Sequence, residues 1–103
     1  MGYIYFIGSK DKIKIGYTKN SIEKRLKQLQ TGNDDTLVLL GYLRGGIDEE
    51  KMLHKQFSNY RIRSNGEWFE PSEELINFIN QNNSKPNTYV DWVDGRLLPL
   101  LKI

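Results

Sequence analysis

The sequence predicts a single α+β domain in which a short antiparallel sheet is flanked by helices. Three observations predict it. Gly2 to Gly8 is a run of β-branched and aromatic residues bounded by glycine. Lys12 to Tyr17 alternates Lys-Ile-Lys-Ile-Gly-Tyr, the period of two that a strand requires. Ile22, Leu26 and Leu29 recur at i, i+4 and i+7, as do Leu53, Phe57 and Tyr60, which is the spacing of a helix with one buried stripe. At 103 residues the chain can bury one modest core.

Taken in order, Gly2–Gly8 is the first strand and Ser9-Lys10-Asp11 its turn. Lys12–Tyr17 returns antiparallel, with Ile13 and Ile15 on one face and Lys12 and Lys14 on the other. A basic helix starts at Asn20 or Ser21, where Asn20 followed by Glu23 resembles a capping box, and Gly32 is placed to end it. Arg25 lies at the margin of that helix's buried stripe. Thr36–Arg44 is an apolar run of strand length, expected as the central strand. Asp48, Glu49 and Glu50 fill the first turn of a second helix running to about Asn59, on which Glu50 and His54 are i, i+4 neighbours. Tyr60–Gly66 is a basic loop or short strand, with a turn signal at Asn65-Gly66. Ser72 caps a third helix through about Asn82. After a linker, Tyr89–Val93, Asp94-Gly95 and Leu97–Leu101 read as a hairpin or an extended tail, with Pro99 confining the last run to an edge.

Composition excludes several classes. There is no cysteine, so neither a disulfide framework nor a thiolate site is available. The apolar runs are too short to span a membrane, and a cytoplasmic, intracellular location is expected. The charge is uneven: residues 1–33 carry seven bases and two acids, residues 64–103 three bases and six acids. A basic half facing an acidic one suits a phosphate-binding surface; a solvated helix face accounts for it equally well.

Phosphodiester cleavage needs a group to activate water, a cation on the phosphate and, usually, a divalent metal on a carboxylate. Residues of those types are present: Tyr3, Tyr5 and Tyr17 beside Lys14 on the hairpin, Arg25 on the helix, the lone His54, and Glu67 in a Gly-Glu-Trp-Phe segment. Each also has a structural reading. Strand tyrosines pack, a marginal arginine salt-bridges, His54 pairs with Glu50, and Glu67 caps the next element.

Their order is more specific. Tyr3-Ile4-Tyr5, then Lys14-Ile15-Gly16-Tyr17-Thr18, Arg25-Leu26, Glu50…His54…Phe57 and Gly66-Glu67-Trp68-Phe69 together resemble the GIY-YIG nuclease superfamily, most closely its T5orf172-like subgroup, which reads Lys-Ile-Gly in the second motif. The resemblance covers about residues 2–80. It implies a three-stranded antiparallel sheet flanked by helices, in agreement with the element order above. It also implies a metal-dependent DNA endonuclease with one Mg²⁺ or Mn²⁺, encoded by a phage or mobile element.

Carried onto this chain, the resemblance makes Tyr5 the general base, helped by Lys14, Tyr17 or His54. Arg25 becomes the phosphate-binding arginine, Glu67 the metal ligand, and Gly16 the point of close backbone approach. Lys14 stands where many members have the second tyrosine, Tyr3 stands at the motif glycine, and Gln28 and Leu29 follow Arg25 where some members have histidine. Lys12, Lys19, Lys24, Lys27, Arg61 and Arg63 are the expected contacts to DNA. Residues 1–83 form the nuclease-like domain and 84–103 an extension packing on it or on a partner. Two other functions fit the residues: a non-catalytic nucleic-acid-binding module on the same fold, and a protein-interaction module whose apolar tail, with Trp92 and Leu97–Leu101, forms a homodimer.

Overall fold

A computed structural model describes residues 2–63 and 66–103. Six strands and three helices follow in order: β1 Gly2–Ser9, β2 Lys12–Thr18, α1 Ile22–Thr31, β3 Leu37–Gly45, α2 Ile47–Gln56, β4 Trp68–Phe69, α3 Glu73–Asn82, β5 Thr88–Val93 and β6 Arg96–Leu101. A single 3₁₀ turn, Ser58–Tyr60, follows α2. This is the expected α+β class, an antiparallel sheet flanked by helices with a C-terminal hairpin.

Two expectations about the sheet are corrected. It has four strands, in the order β3-β1-β2-β4, because Trp68 and Phe69 pair with Lys14 and Ile13. The central position belongs to β1, flanked by β2 and β3, and β3 lies at an edge. Burial explains why. Ile4, Tyr5, Phe6 and Ile7 are all at most 1% exposed, so β1 is covered on both faces. The longer apolar run of β3 leaves Val38, Leu39, Tyr42 and Leu43 half-buried.

The open edge of β3 is closed by the Asn83 side chain and by the Ser84 N–H, which donates to the Tyr42 carbonyl at 2.7 Å. Asn83 Oδ1 accepts from the Tyr42 N–H at 3.0 Å, and its Nδ2 donates to the Leu40 carbonyl at 3.4 Å. The Asn83 amide occupies the space in which a Cβ on Gly41 would stand. A bulge between Phe6 and Ile7 sets Leu40 into the core.

The sheet divides two cores. On one face Tyr5, Ile7 and Leu37 pack with Ile22, Leu26 and Leu29 of α1. On the other, Ile4, Phe6, Ile13 and Ile15 pack with Leu53 and Phe57, with Leu75 and Ile79 of α3, and with Val90 and Leu97 of the hairpin. The extension therefore packs on its own domain. In its turn Asp94 and Gly95 both have positive φ, 51° and 79°, as an Asp-Gly hairpin requires. Pro99 is tolerated because it faces Val90, whose N–H and carbonyl turn outward to the side chain of Asn80 at 2.7 and 3.2 Å.

Helix ends refine the expectations. Ser21, not Asn20, caps α1, its Oγ accepting from the Lys24 amide at 3.3 Å. The Asn20 N–H is drawn instead to Thr18 Oγ1, so the box with Glu23 does not form. Helix α2 stops at Gln56, short of Asn59, where Phe57 turns into the core. Ser72 caps α3 as expected. The turn read at Asn65-Gly66 lies partly outside the described residues, although the Gly66 N–H reaches the Arg63 carbonyl at 3.0 Å. Among the described residues no helix is long and apolar enough to cross a membrane.

Candidate functional site

The β1–β2 register sets Tyr5 directly opposite Gly16, so both project to the α1 face. The absence of a side chain at 16 is what lets the phenol lie there: a Cβ would collide with Cζ and the hydroxyl of Tyr5. Tyr5 is only 1% exposed. Its hydroxyl accepts a hydrogen bond from Arg25 Nε of α1 at 3.3 Å, while Arg25 Nη1 donates to Gln28 at 3.3 Å. Tyr5, through this bond and then its charge, and Glu67 through its field raise the Arg25 pKa above its ordinary value.

Lys14 lies two residues before Gly16 on the same face. Its ammonium is 3.0 Å from Glu67 Oε1, with the lysine side chain 13% and the glutamate 43% exposed. Glu67 is held by its backbone, whose carbonyl accepts from the Ile15 N–H at 3.0 Å just before β4. The Trp68 ring lies 5.1 Å from Lys12 Nζ and 5.5 Å from Lys14 Nζ.

His54 stands at the β2 edge, on the α2 side. Its Nε2 is 2.8 Å from the Ile15 carbonyl, and its Nδ1 is 2.6 Å from Arg61 Nη2. A carbonyl only accepts and a guanidinium only donates, so the ring is the neutral Nε2–H tautomer with both nitrogens engaged. The ring also meets Phe69 edge-on, with centroids 5.2 Å apart. The expected pairing of His54 with Glu50 does not form. Glu50 is instead buried at 9% exposure, and its pKa is raised, first by burial and next by Glu67.

The fold thus brings Tyr5, Gly16, Lys14, Arg25 and Glu67 to one face, with His54 and Glu50 at the adjoining edge. Tyr17 is not with them: it is opposite Ile4 and projects to the other face of the sheet from Tyr5. Arg61 is half-buried behind His54, over the Phe69 ring. Two clefts flank the centre. One, of about 420 Å³, is lined by Thr18, Asn20, Ser21, Lys24, Arg25 and Gln28. The other, of about 430 Å³, is lined by Lys12, Ile62, Arg63, Gly66 and Trp68. Lys19 and Lys27 are exposed. Sequence reasoning missed the burial of Glu50 and the lysines over Trp68. The i, i+4 spacing of Glu50 and His54 signalled only that the two share a helix face.

Among the described residues no three His, Cys, Asp or Glu side chains cluster to ligate a metal. Glu67 is the one carboxylate of the cluster beside Arg25 and Lys14, and a divalent ion there would have to draw most of its ligands from water and phosphate. Mg²⁺ keeps several waters and takes one or two carboxylates plus phosphate oxygens. Glu67 is half-exposed, and its Oε1 is taken by the Lys14 ammonium, which leaves Oε2 as the oxygen that could face such an ion.

A family model described as the T5orf172 domain matches residues 2–83. No curated protein and no solved structure matches the chain. The matched span takes in β1 through α3, with every residue of the cluster described above. The chain therefore belongs to the T5orf172 domain family, a family of nuclease-like domains.

Proposed function

We propose that this domain is a GIY-YIG-type, metal-dependent endonuclease that hydrolyses DNA phosphodiester bonds. The observation that carries the reading is the stacking of Tyr5 on Gly16, with Arg25 bonded to its hydroxyl and the Lys14–Glu67 pair two residues along the same strand face. As general base, Tyr5 would act as the phenolate, its own proton first given up to solvent, and would accept the proton of the attacking water on the same oxygen that Arg25 contacts. The remaining donors of Arg25 bind the scissile phosphate and stabilise the charge that develops there. Glu67 holds Mg²⁺ or Mn²⁺, which when bound polarises the phosphate and stabilises the leaving oxygen. Lys14, released from Glu67, becomes a second cation for the phosphate. His54, with both nitrogens occupied, positions the Ile15–Gly16 backbone beneath Tyr5. Lys12 and Arg63 in one cleft and Lys24 in the other, with Lys19 and Lys27 beside them, steer the duplex.

Nicking of supercoiled plasmid tests this. Wild-type protein with Mg²⁺ or Mn²⁺ should nick, EDTA should stop it, and Glu67→Ala should lower the rate by at least about a hundred-fold. Equal rates for wild type and Glu67→Ala would sink the proposal.

The Lys14–Glu67 ion pair supports a second reading, a binding module in which an internal ammonium stands where a metal would. That reading requires salt-sensitive DNA binding unchanged by EDTA, with no cleavage under any divalent metal.

A further inference from the structure

The cleavage reading gives a part to the two cations of the Lys12–Arg63 cleft and none to its ring. Trp68 packs against the α1-face core, yet it is only half-buried and lines the cleft with Lys12, Ile62, Arg63 and Gly66. No acid lines it. Other clefts differ. The one beside Arg25 has cations and no ring, and the one beside Trp92 has rings with Glu73 and Asp91 but no cation. A tryptophan kept for packing alone needs neither an open cleft nor the exposed Ile62 and Arg63 that line it with the ring. A flat π-surface beside cations fits a base joined to phosphates, with the ring taking the base and the cations the backbone. The space, about 430 Å³, is that of a small-ligand site. The lysines over the ring, at 5.1 and 5.5 Å, stand near the limit of about 6 Å at which a ring attracts a cation. They are held loosely enough to exchange the ring for a phosphate.

We propose that Trp68, with Lys12 and Arg63, is a stacking site for one unpaired DNA base, so that the bound strand is single-stranded on the Lys12 side of the cleavage centre. The proposal takes its substrate from the DNA-cleaving reading above. Register supplies the placement. Trp68 is paired with Lys14, and Gly16, Lys14 and Lys12 alternate along one face of β2. Lys12 is four residues from Gly16, about 13 Å along the strand, which is about four nucleotide steps at duplex spacing. A strand whose phosphate lies at Tyr5 and Arg25 therefore reaches the ring within a few nucleotides. Bases stacked in a duplex cover one another's faces, so the ring takes only a base freed from the stack.

Tryptophan fluorescence of the full chain is the test. Trp92→Phe leaves Trp68 as the single tryptophan. That protein is titrated in EDTA with an oligodeoxythymidylate of about twelve nucleotides, with a duplex of the same length, and with a strand of the same length made of abasic sites. The oligothymidylate should quench Trp68 more than the other two do, and the abasic strand, equal in charge, should bind about ten-fold more weakly. Trp68→Leu should lose about ten-fold in affinity for the single strand and keep its affinity for the duplex. Should Trp68→Leu not fold, the comparison of thymidylate with abasic strand, made with the ring intact, decides. Equal binding and quenching by those two strands overturns the proposal and leaves the endonuclease reading standing. Absence of binding to all three also overturns it. Base-dependent quenching in a protein that nicks no plasmid with any divalent metal supports the stacking site and overturns the cleavage reading.

Discussion

Replacing Gly16 by alanine is the most direct probe of how the site is built. The backbone at Gly16 is not in the left-handed region, so no conformational strain attends the change. The added methyl would overlap Cζ, Cε1 and the hydroxyl of Tyr5. Tyr5 has no free side to retreat to: it is packed with Ile7 and Leu37, against Ile22, Leu26, Leu29 and Trp68. Overpacking of this kind costs about 2 kcal/mol, and for a domain of this size that lowers the melting temperature by roughly 10 °C. The displaced phenol also loses Arg25, whose hydrogen bond is already long at 3.3 Å.

The assay is thermal unfolding by circular dichroism, with plasmid nicking measured well below the transition. Gly32→Ala is the control, since a Cβ there meets nothing within 4 Å and its φ is −100°. That change should be neutral or stabilise by up to about 1 kcal/mol. Gly16→Ala should melt lower and nick at least about a hundred-fold more slowly, because a shift of about 1 Å in a reacting group has that effect. A Gly16→Ala protein that melts like Gly32→Ala would refute the packing of Tyr5 on residue 16.

Three further outcomes are expected. Asn83→Ala should cost about 2–3 kcal/mol in urea denaturation, because it strips partners from the Tyr42 and Lys85 amides, the Leu40 carbonyl and Thr88; a loss below about 0.5 kcal/mol would show that water replaces it freely. Nitrogen NMR of His54 should report the neutral Nε2–H tautomer, and a proton on Nδ1 would contradict the bond from Arg61. Light scattering should give a monomer of 12.1 kDa, since Asn80 and Asn83 cover strand edges at which a second copy would pair; a dimeric mass would reinstate the tail as an interface.

Local chemistry was legible where it acts over a few residues. The Lys-Ile-Lys-Ile alternation, the Ser72 cap and the Asp94-Gly95 turn each specify their own backbone, and each is found where the residues place it. Sheet order was not legible, because hydrophobicity reports burial without saying which neighbour supplies it. The apolar run of β3 reads as a central strand. It is an edge whose cover comes from Asn83, some forty residues later, and from the hairpin. Trp68-Phe69 is too short to announce itself as a strand; it becomes one because Lys14 and Ile13 offer it an edge.

The site divides in the same way. Register follows from the hairpin, so the meeting of Tyr5 with Gly16 could be worked out from spacing, whereas the meeting of Lys14 with Glu67 depends on β4 and could not. That second meeting governs the electrostatics. Near the centre the cations Lys14 and Arg25 face the acids Glu50 and Glu67. Charges so matched largely cancel and offer a phosphate little net attraction, while the flanking lysines act through a range that salt screens. A divalent ion seated on Glu67 would change the balance: it would outweigh that acid and free Lys14, and three positive groups would then face the phosphate beside the Tyr5 hydroxyl. On the proposed reading, the lysine that departs from the tyrosine pattern would thereby couple metal binding to phosphate binding, a role that tyrosine, neutral at physiological pH, could not fill.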